Sequence, residues 1–259
     1  MTRDASGAVR IGCVKYLNAQ PLIHGWTGTV LFDHPAALCG MLAAGELDVA
    51  LVSSFEFLRN PVYSIADDLA VAADGPVHSV FVAHLGAFEA LSEIVIDPAS
   101  LTSVNLLRCL LAQSGSPAVL RSGGDVTITE TRGRLLIGDQ AIRFREKHAC
   151  DYSFWDLAAE WRRTTGLPFV FALWLIRPEA ANAQEVADSL RSLRDANVAA
   201  LDRVIAAQTE FSPEFCAYYF RECLRFRFAD AEKQGLLMFR SQCQKHGILP
   251  PGQTPLPLL

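Results

Sequence analysis

The sequence predicts an α/β protein with two lobes and a ligand-binding cleft between them. Segments typical of strands and of helices alternate in two successive units, which is the pattern of sheets covered by helices. A late apolar segment at 167–176 can return the chain to the first unit. At 259 residues the chain is long enough for two lobes. We therefore expect residues 1–84 with 170–259 to form one lobe, and residues 88–167 to form the other.

The first unit consists of three predicted strands and two predicted helices. In order, these are the strand "AVRIGCVKYL", the short helix "PLIHGW", the strand "GTVLFD", the helix "HPAALCGMLAAGEL" and the strand "DVALVSS". Pro21 and Pro35 stand where the first turn of a helix accepts proline, and Gly45 ends the second helix. The last strand is almost continuously apolar, which is typical of a parallel strand buried on both faces. Together these segments predict a right-handed βαβαβ unit.

The second unit repeats this order of elements. It contains the strands "SVFVAHL" and "SEIVIDP", the helix "TSVNLLRCLLAQSG", and the strand-to-helix segment "RLLIGDQAIRF", after which "LPFVFALWLI" forms the last predicted strand. Leucines recur at helical spacing in the helix, and Gly115 marks its end. Three further helices are predicted at about 183–208, 213–226 and 230–246, and the pair Ser212–Pro213 marks the start of the second.

The composition argues against several classes of function. Hydrophobic residues make up 51% of the chain and charged residues 20%, so a large core is available. The net charge of −5 and the absence of a basic stripe argue against a nucleic-acid partner. No apolar stretch approaches the roughly 20 residues that cross a bilayer, and no signal peptide is recognisable. We expect a cytoplasmic protein that does not act at a membrane.

Neither a metal site nor a cofactor site is predicted. The seven cysteines are scattered and contain no CxxC pair, so they are expected to be small buried hydrophobes. The glycine-containing segments around 115–125 lack the spacing of a phosphate-binding or dinucleotide-binding loop. No catalytic triad, HExxH segment or paired-carboxylate motif occurs. An enzyme with this sequence would run a reaction that depends on positioning more than on strong acids and bases.

Polar side chains follow strand ends in both units. They are Tyr16, Asn18, Ser53, Ser54 and Asp139. In open α/β sheets ligands bind beyond the carboxyl ends of strands, so these residues are candidates for substrate binding. The amide of Asn18 can orient a hydroxyl or a carboxylate, or it can serve as a turn residue ahead of Pro21. The hydroxyls of Ser53 and Ser54 can bind an anion or cap the following helix.

Two further segments place hydroxyls where an anion would bind. A helix is predicted to begin near Thr102 and Ser103, and its free N–H groups, its dipole and these hydroxyls suit a carboxylate. Helix capping alone would explain the same residues. In "DGPVHSV" the adjacent His78 and Ser79 point to opposite faces of a strand, so only one of them can face the cleft. We expect that residue to be Ser79.

Six sequence segments between residues 10 and 174 are informative when they are taken together and in their order along the chain. They are "RIGCVKYLNAQPL", "GELDVALVSSFEF", "DGPVHSV", "DPASLTSVNLLRCLL", "LLIGDQAI" and "YSFWDLAAEWRRTTGLPFVFALW". In this order they resemble the chorismate dehydratase family of the futalosine route to menaquinone. The resemblance implies a type II periplasmic-binding-protein-like fold with an inter-lobe cleft. It also implies the loss of water from chorismate, a small dicarboxylate, to give 3-[(1-carboxyvinyl)oxy]benzoate without a cofactor.

The resemblance assigns roles to individual residues. The family's Asn in "YLN" and its Ser in "GPVxS" correspond to Asn18 and Ser79, which implies that these two are catalytic. Many members resemble Ser-Arg-Thr-Ser at the helix start, whereas this chain has Leu101 in place of the Arg. This departure keeps a non-enzymatic carboxylate-binding protein or sensor open as an alternative. The related naphthoate-forming cyclase is another, although its "SPCPNDT"-like opening is absent here.

Overall fold

The computed structural model describes residues 9–97, 100–252 and 255–259. The strands are β1 (Ile11–Val14), β2 (Val30–Asp33), β3 (Val49–Ser53), β4 (Ser64–Ala73), β5 (Val80–His84), β6 (Glu93–Ile96), β7 (Val119–Ser122), β8 (Arg132–Ile137), β9 (Ser153–Asp156) and β10 (Phe169–Ile176). The α-helices are α1 (Gln20–Ile23), α2 (Pro35–Ala44), α3 (Ser54–Arg59), α4 (Leu101–Ser114), α5 (Gly138–Lys147), α6 (Leu157–Thr165), α7 (Ala183–Ala199), α8 (Leu201–Ala206), α9 (Pro213–Tyr218) and α10 (Asp230–Lys245).

These strands form two separate sheets of five strands each. The first sheet has the order β2-β1-β3-β10-β4, and the second has the order β7-β6-β8-β5-β9. Within the first sheet β1 runs parallel to β2 and β3, whereas β10 runs antiparallel to β3 and β4. The late strand β10 therefore does return the chain to the first sheet. The chain passes between the sheets twice, through residues 74–79 and 166–168.

The sheets and the predicted lobes differ at one strand. The sequence-based division put residues 1–84 in the first lobe, which includes β5. In the structure β5 pairs with β8 and β9 of the second sheet, because the connection that precedes it, residues 74–79, has already crossed between the sheets. Residues 1–8 of the predicted lobe lie outside the described residues. The remaining bounds of the division stay a prediction.

Strand β4 was not predicted from the sequence. Its centre contains Asp67 and Asp68, and aspartate is depleted in strands. The ladder with β10 is irregular at this point, since the pairing shifts between Leu173 and Leu175. Asp68 adopts a positive φ of 59° there and binds the buried guanidinium of Arg194 at 2.7 Å. A long-range ion pair thus compensates a local sequence that disfavours a strand.

The C-terminal helices are more broken than the sequence pattern suggests. The predicted helix at 183–208 is two helices, α7 and α8, separated at Ala200. The predicted helix at 213–226 consists of α9 followed by a π-helix, Tyr219–Cys223. Ser212 caps α9 by accepting the N–H of Phe215 at 3.1 Å, as the Ser-Pro pair predicts. None of the helices formed by the described residues has the length and apolar character that a bilayer crossing requires.

The larger buried apolar cluster contains side chains of both sheets, and β5 shows how the second sheet is covered on its two faces. Val80 and Val82 of β5 belong to this larger cluster. Phe81 and Ala83, which point to the opposite face, belong to a smaller cluster with α5. The near-continuous apolar sequence of β5 follows from burial on both faces, in the same way as that of β3.

Substitution of Gly235 in α10 tests how closely this helix packs on the segment between α6 and β10. A Cβ added at Gly235 would lie 2.1 Å from the carbonyl oxygen of Pro168, whereas one added at Gly40 of α2 would meet no atom within 4 Å. We expect Gly235→Ala to lower the free energy of unfolding by about 1–3 kcal/mol. Gly40→Ala, the matched control, should raise it by about 0.5–1 kcal/mol. Urea unfolding of both variants measures this, and equal effects would contradict the packing.

Candidate functional site

A cavity lies between the two sheets, where the carboxyl ends of β1, β3, β6 and β8 meet. Its empty volume is about 580 Å³, including the part open to solvent. Its lining consists of Val14, Tyr16, Asn18, Pro35, Ser53, Val77, Ser79, Val80, Ser100, Leu101, Thr102, Ser103, Ile137, Gly138, Phe171 and Ala172. Both sheets contribute, so the site is shared between the two halves of the molecule.

Six of the eight residues predicted from the sequence line this cavity. They are Tyr16, Asn18, Ser53, Ser79, Thr102 and Ser103. The other two do not, because the protein itself uses their polar atoms. Ser54 is fully buried and donates to the carbonyl of Val170 at 2.7 Å. Asp139 accepts the backbone N–H of Leu17 at 2.8 Å. Both follow strand ends, which is why the sequence pattern grouped them with ligand-binding residues, but their structural role is to hold the site together.

The start of α4 is an anion-binding geometry within the cavity. The N–H groups of Leu101, Thr102 and Ser103 belong to the first turn, where the helix offers them no carbonyl acceptor. Ser100 precedes this turn, is 4% exposed, and its hydroxyl has no hydrogen-bond partner. Sequence reasoning did not single out Ser100, although its position directly before the helix was a signal. Free N–H groups and an unpartnered hydroxyl together suit a carboxylate.

Thr102 joins the two sheets through its hydroxyl. It donates to the carbonyl of Phe171 at 3.2 Å and accepts the N–H of Phe55 at 3.3 Å. Its oxygen also lies 2.5 Å from the Ser53 hydroxyl. With these partners the hydroxyl of Thr102 has little capacity left for a ligand. The residue offers a ligand mainly its backbone N–H.

Asn18 lies in a short 3₁₀ helix, Leu17–Ala19, directly after β1. Its side-chain oxygen is buried and has no partner within the protein. A buried amide oxygen without a donor is costly, by about 1–3 kcal/mol. Because Asn18 lines the cavity, a ligand that brings a hydroxyl or another donor would satisfy this oxygen.

The segment before β5 is held by the carboxylate of Asp156, the last residue of the neighbouring strand β9. One oxygen of Asp156 accepts the N–H groups of Val77 and His78 at 3.0 and 2.8 Å, and the other caps α6. Ser79 lines the cavity, whereas His78 turns outward and its Nε2 lies 2.9 Å from the hydroxyl of Tyr218. The sequence pattern missed Asp156, because no local signal connects it to residues 77–78.

The cavity has almost no ionisable groups. Its lining includes no Asp, Glu, His, Lys or Arg among the described residues. Tyr16 is the one phenol, and burial, followed by the charges of Asp139 and Asp97, raises its pKa to about 12. No group of three or more His, Cys, Asp or Glu side chains that could hold a metal ion occurs among the described residues. A ligand anion would be bound by N–H groups, hydroxyls and one amide.

Comparison with known proteins assigns the chain to a family. The family model described as menaquinone biosynthesis matches residues 9–245. The chain belongs to this family. It is 31% identical over 254 residues to the chorismate dehydratase of Thermus thermophilus, with 88% of this chain and 93% of that protein covered. It is 26% identical to the chorismate dehydratase of Campylobacter jejuni, with 88% and 91% covered.

Solved structures confirm the fold class. A crystal structure of an Archaeoglobus fulgidus protein covers 95% of this chain and 100% of its own, with a TM-score of 0.74 at 14% identity. The periplasmic aliphatic sulphonate binding protein of Escherichia coli gives a TM-score of 0.62 at 12% identity, with 95% and 89% covered. This menaquinone-biosynthesis family member therefore has the two-lobed α/β periplasmic-binding-protein-like fold that the sequence predicts.

Gly138 tests the contact that holds Tyr16 in the cavity wall. A Cβ at Gly138 would lie 2.9–3.1 Å from three atoms of the Tyr16 ring, whereas one at Gly115 would meet nothing within 4 Å. Both glycines have φ above +60°, so alanine costs about 1–2 kcal/mol of backbone strain at either position. We expect Gly138→Ala to lower the free energy of unfolding by about 1–3 kcal/mol more than Gly115→Ala. If denaturant unfolding showed equal losses of unfolding free energy for the two variants, the contact between Gly138 and Tyr16 would not contribute to stability.

His78 should make stability depend on pH. Burial, followed by the charge of Arg145, lowers its pKa from 6.5 to about 4. Because the folded pKa lies below the unfolded one, the unfolded state binds more protons between these values. This contribution to stability is complete above about pH 6.5 and is lost as the pH falls toward 4.

The variant His78→Asn tests this pH dependence, since asparagine tolerates the positive φ of 62° at this position. We expect the unfolding midpoint of the wild type to fall more steeply than that of the variant between pH 7 and 4.5. The remaining titrating groups are common to both proteins and cancel in the comparison. Parallel curves would show that His78 is already free to protonate in the folded state.

Proposed function

We propose that the chain is a chorismate dehydratase, a hydro-lyase that converts chorismate to 3-[(1-carboxyvinyl)oxy]benzoate in menaquinone biosynthesis. The observation that carries the proposal is a cavity without ionisable side chains other than Tyr16, among the described lining residues, that presents unpartnered polar atoms of Asn18 and Ser100. The family and the names of the two relatives support it.

The reaction suits a site without strong acids or bases. A ring C–H bond and the neighbouring ring C–OH bond of chorismate break, and the electrons of the C–H bond complete a benzene ring. The ring proton passes to an acceptor and the hydroxyl leaves with a proton, so the net products are the substituted benzoate and one molecule of water. Because aromatisation makes this step strongly downhill, the protein contributes chiefly by orientation and by exclusion of bulk water.

The start of α4 is the proposed binding site for one substrate carboxylate. The N–H groups of the first turn supply donors, and the hydroxyls of Ser100 and Ser103 lie in the same part of the cavity. The helix dipole adds a partial positive charge at this end. Leu101 lines the cavity beside them and contributes no charge. The anion is then held by neutral donors alone.

Asn18 and Ser79 hold the reacting part of the substrate. The amide oxygen of Asn18 accepts a hydrogen bond from the ring hydroxyl or from a water molecule, and its amide nitrogen donates one to a carboxylate. The Ser79 hydroxyl donates a hydrogen bond to the leaving oxygen. Neither side chain is a base at neutral pH. The proton acceptor is therefore a water molecule or the enolpyruvyl carboxylate of the substrate itself, which the site holds near the ring.

Incubation of the purified protein with chorismate tests the proposal, with the enolpyruvyl-benzoate product followed by chromatography and mass spectrometry. The wild type should form it. Asn18→Ala and Ser79→Ala should cut turnover roughly ten- to thousandfold, because orientation or one transition-state donor is lost.

Ser114→Ala, at the far end of α4, is the matched control and should keep wild-type turnover. Unchanged circular dichroism and unfolding midpoints of the cavity variants exclude a folding defect. Tight binding of chorismate without product would favour a binding protein or sensor instead. Full turnover by both alanine variants would leave Asn18 and Ser79 without a catalytic role.

A further inference from the structure

Tyr219 contacts the proposed catalytic serine from outside the cavity. Its hydroxyl donates to Oγ of Ser79 at 2.7 Å, although the two residues lie 140 positions apart in the sequence. Tyr219 is 1% exposed and Ser79 is fully buried, so this bond is shielded from bulk water. Tyr219 is absent from the cavity lining, and any effect on a ligand must pass through Ser79.

Both partners of this hydrogen bond are held rigidly. The ring of Tyr219 stacks on Phe215 with centroids 5.5 Å apart and planes 16° apart. Tyr219 begins the π-helix, a rare element that occurs frequently at functional sites. The backbone of Ser79 is fixed because its carbonyl accepts the N–H of Gly138 at 2.8 Å. The geometry of the Tyr219–Ser79 pair therefore follows from the fold and does not require a ligand.

The direction of this bond decides what Ser79 can offer. A hydroxyl has one proton to donate and two lone pairs that accept. In the structure the Tyr219 phenol is the donor and Oγ of Ser79 the acceptor, and burial raises the pKa of this phenol, so it carries its proton at neutral pH. With one lone pair of Ser79 occupied, its own proton stays available for an acceptor in the cavity. Donation by the tyrosine also polarises the serine hydroxyl and strengthens its next bond.

We propose that Tyr219 is a positioning residue that holds the Ser79 hydroxyl with its proton directed into the cavity, toward the leaving oxygen of the substrate. This inference rests on the proposed dehydratase function for the identity of that oxygen. Without the tyrosine hydroxyl, the serine proton can turn away from the substrate. The transition state would then lose an oriented donor, whereas the contacts that bind the ground state would remain.

A double-mutant cycle of Tyr219→Phe and Ser79→Ala tests the proposal. We expect Tyr219→Phe to lower kcat roughly ten- to hundredfold, within the loss seen when one such donor is removed. KM should stay within about threefold, because ground-state binding is retained. In the Ser79→Ala background the same change should alter kcat by less than about twofold, since the residue through which Tyr219 acts is gone.

Tyr63→Phe is the matched control for the loss of a buried tyrosine hydroxyl. Tyr63 is 2% exposed and accepts a bond from Asn60 at 3.3 Å, away from the cavity. This variant should keep wild-type kcat. Wild-type kcat in Tyr219→Phe, or a loss that adds fully to that of Ser79→Ala, would overturn the proposal.

A neutron crystal structure of the deuterated wild type separates this inference from the proposed function. The deuterium of Tyr219 should point to Ser79 Oγ, and the deuterium of Ser79 should point into the cavity. If chorismate is not converted but the deuterium atoms lie this way, the proposed function fails and the orienting bond stands. A Ser79 deuterium directed at Tyr219 would overturn the inference whatever the activity.

Discussion

The start of α5 at Gly138–Asp139, directly after β8, joins the two halves of the candidate site. Its N–H at Gly138 binds the carbonyl of Ser79, and its carboxylate binds the N–H of Leu17. The ring of Tyr16 packs directly on the glycine. The first two residues of α5 therefore fix both the serine segment and the 3₁₀ helix that carries Asn18. The carboxylate that binds the N–H of Leu17 is partly removed from water, and this burial raises the pKa of Asp139.

A second consequence of the fold is that the cavity wall is nearly uncharged. Its polar atoms come from hydroxyls, one amide and the first turn of α4, among the described residues. Such a site contains no strong base, but it can hold a dianion in one conformation. A reaction driven by aromatisation needs no more than this.

Local sequence patterns predicted the parts of this protein that obey local rules. β3 is apolar up to Ser53 because it is buried on both faces, and α4 shows leucines at helical spacing with a glycine end. Asn18 and Ser79, which line the cavity, were candidates because they follow or precede such elements, and the family resemblance implied their catalytic role. β4 escaped prediction because its Asp68 is stabilised by Arg194, which lies more than a hundred residues away.

The same limit applies to the site. Asp156 and Tyr219 act on Ser79 and its neighbours through hydrogen bonds across 78–140 residues of sequence. Asp156 lies in one of the segments that carry the family resemblance, but nothing in that segment connects it to residues 77–78, and Tyr219 lies in none of them. The break between α7 and α8 and the π-helix after α9 likewise depend on packing that a helical periodicity does not encode. Ser54 and Asp139 lie outside the cavity lining and bind backbone groups, since strand-end polar residues satisfy the protein's own backbone as readily as a ligand.

A crystal structure with 3-[(1-carboxyvinyl)oxy]benzoate bound is the most direct test of a charge-free dehydratase site. One carboxylate should lie about 3 Å from the first N–H groups of α4, with Asn18 and Ser79 at the other end of the ligand. No Asp, Glu, His, Lys or Arg side chain should come within hydrogen-bond distance of the ring. A ligand bound outside the cavity, or an ionised side chain that moves in to contact the ring, would contradict it.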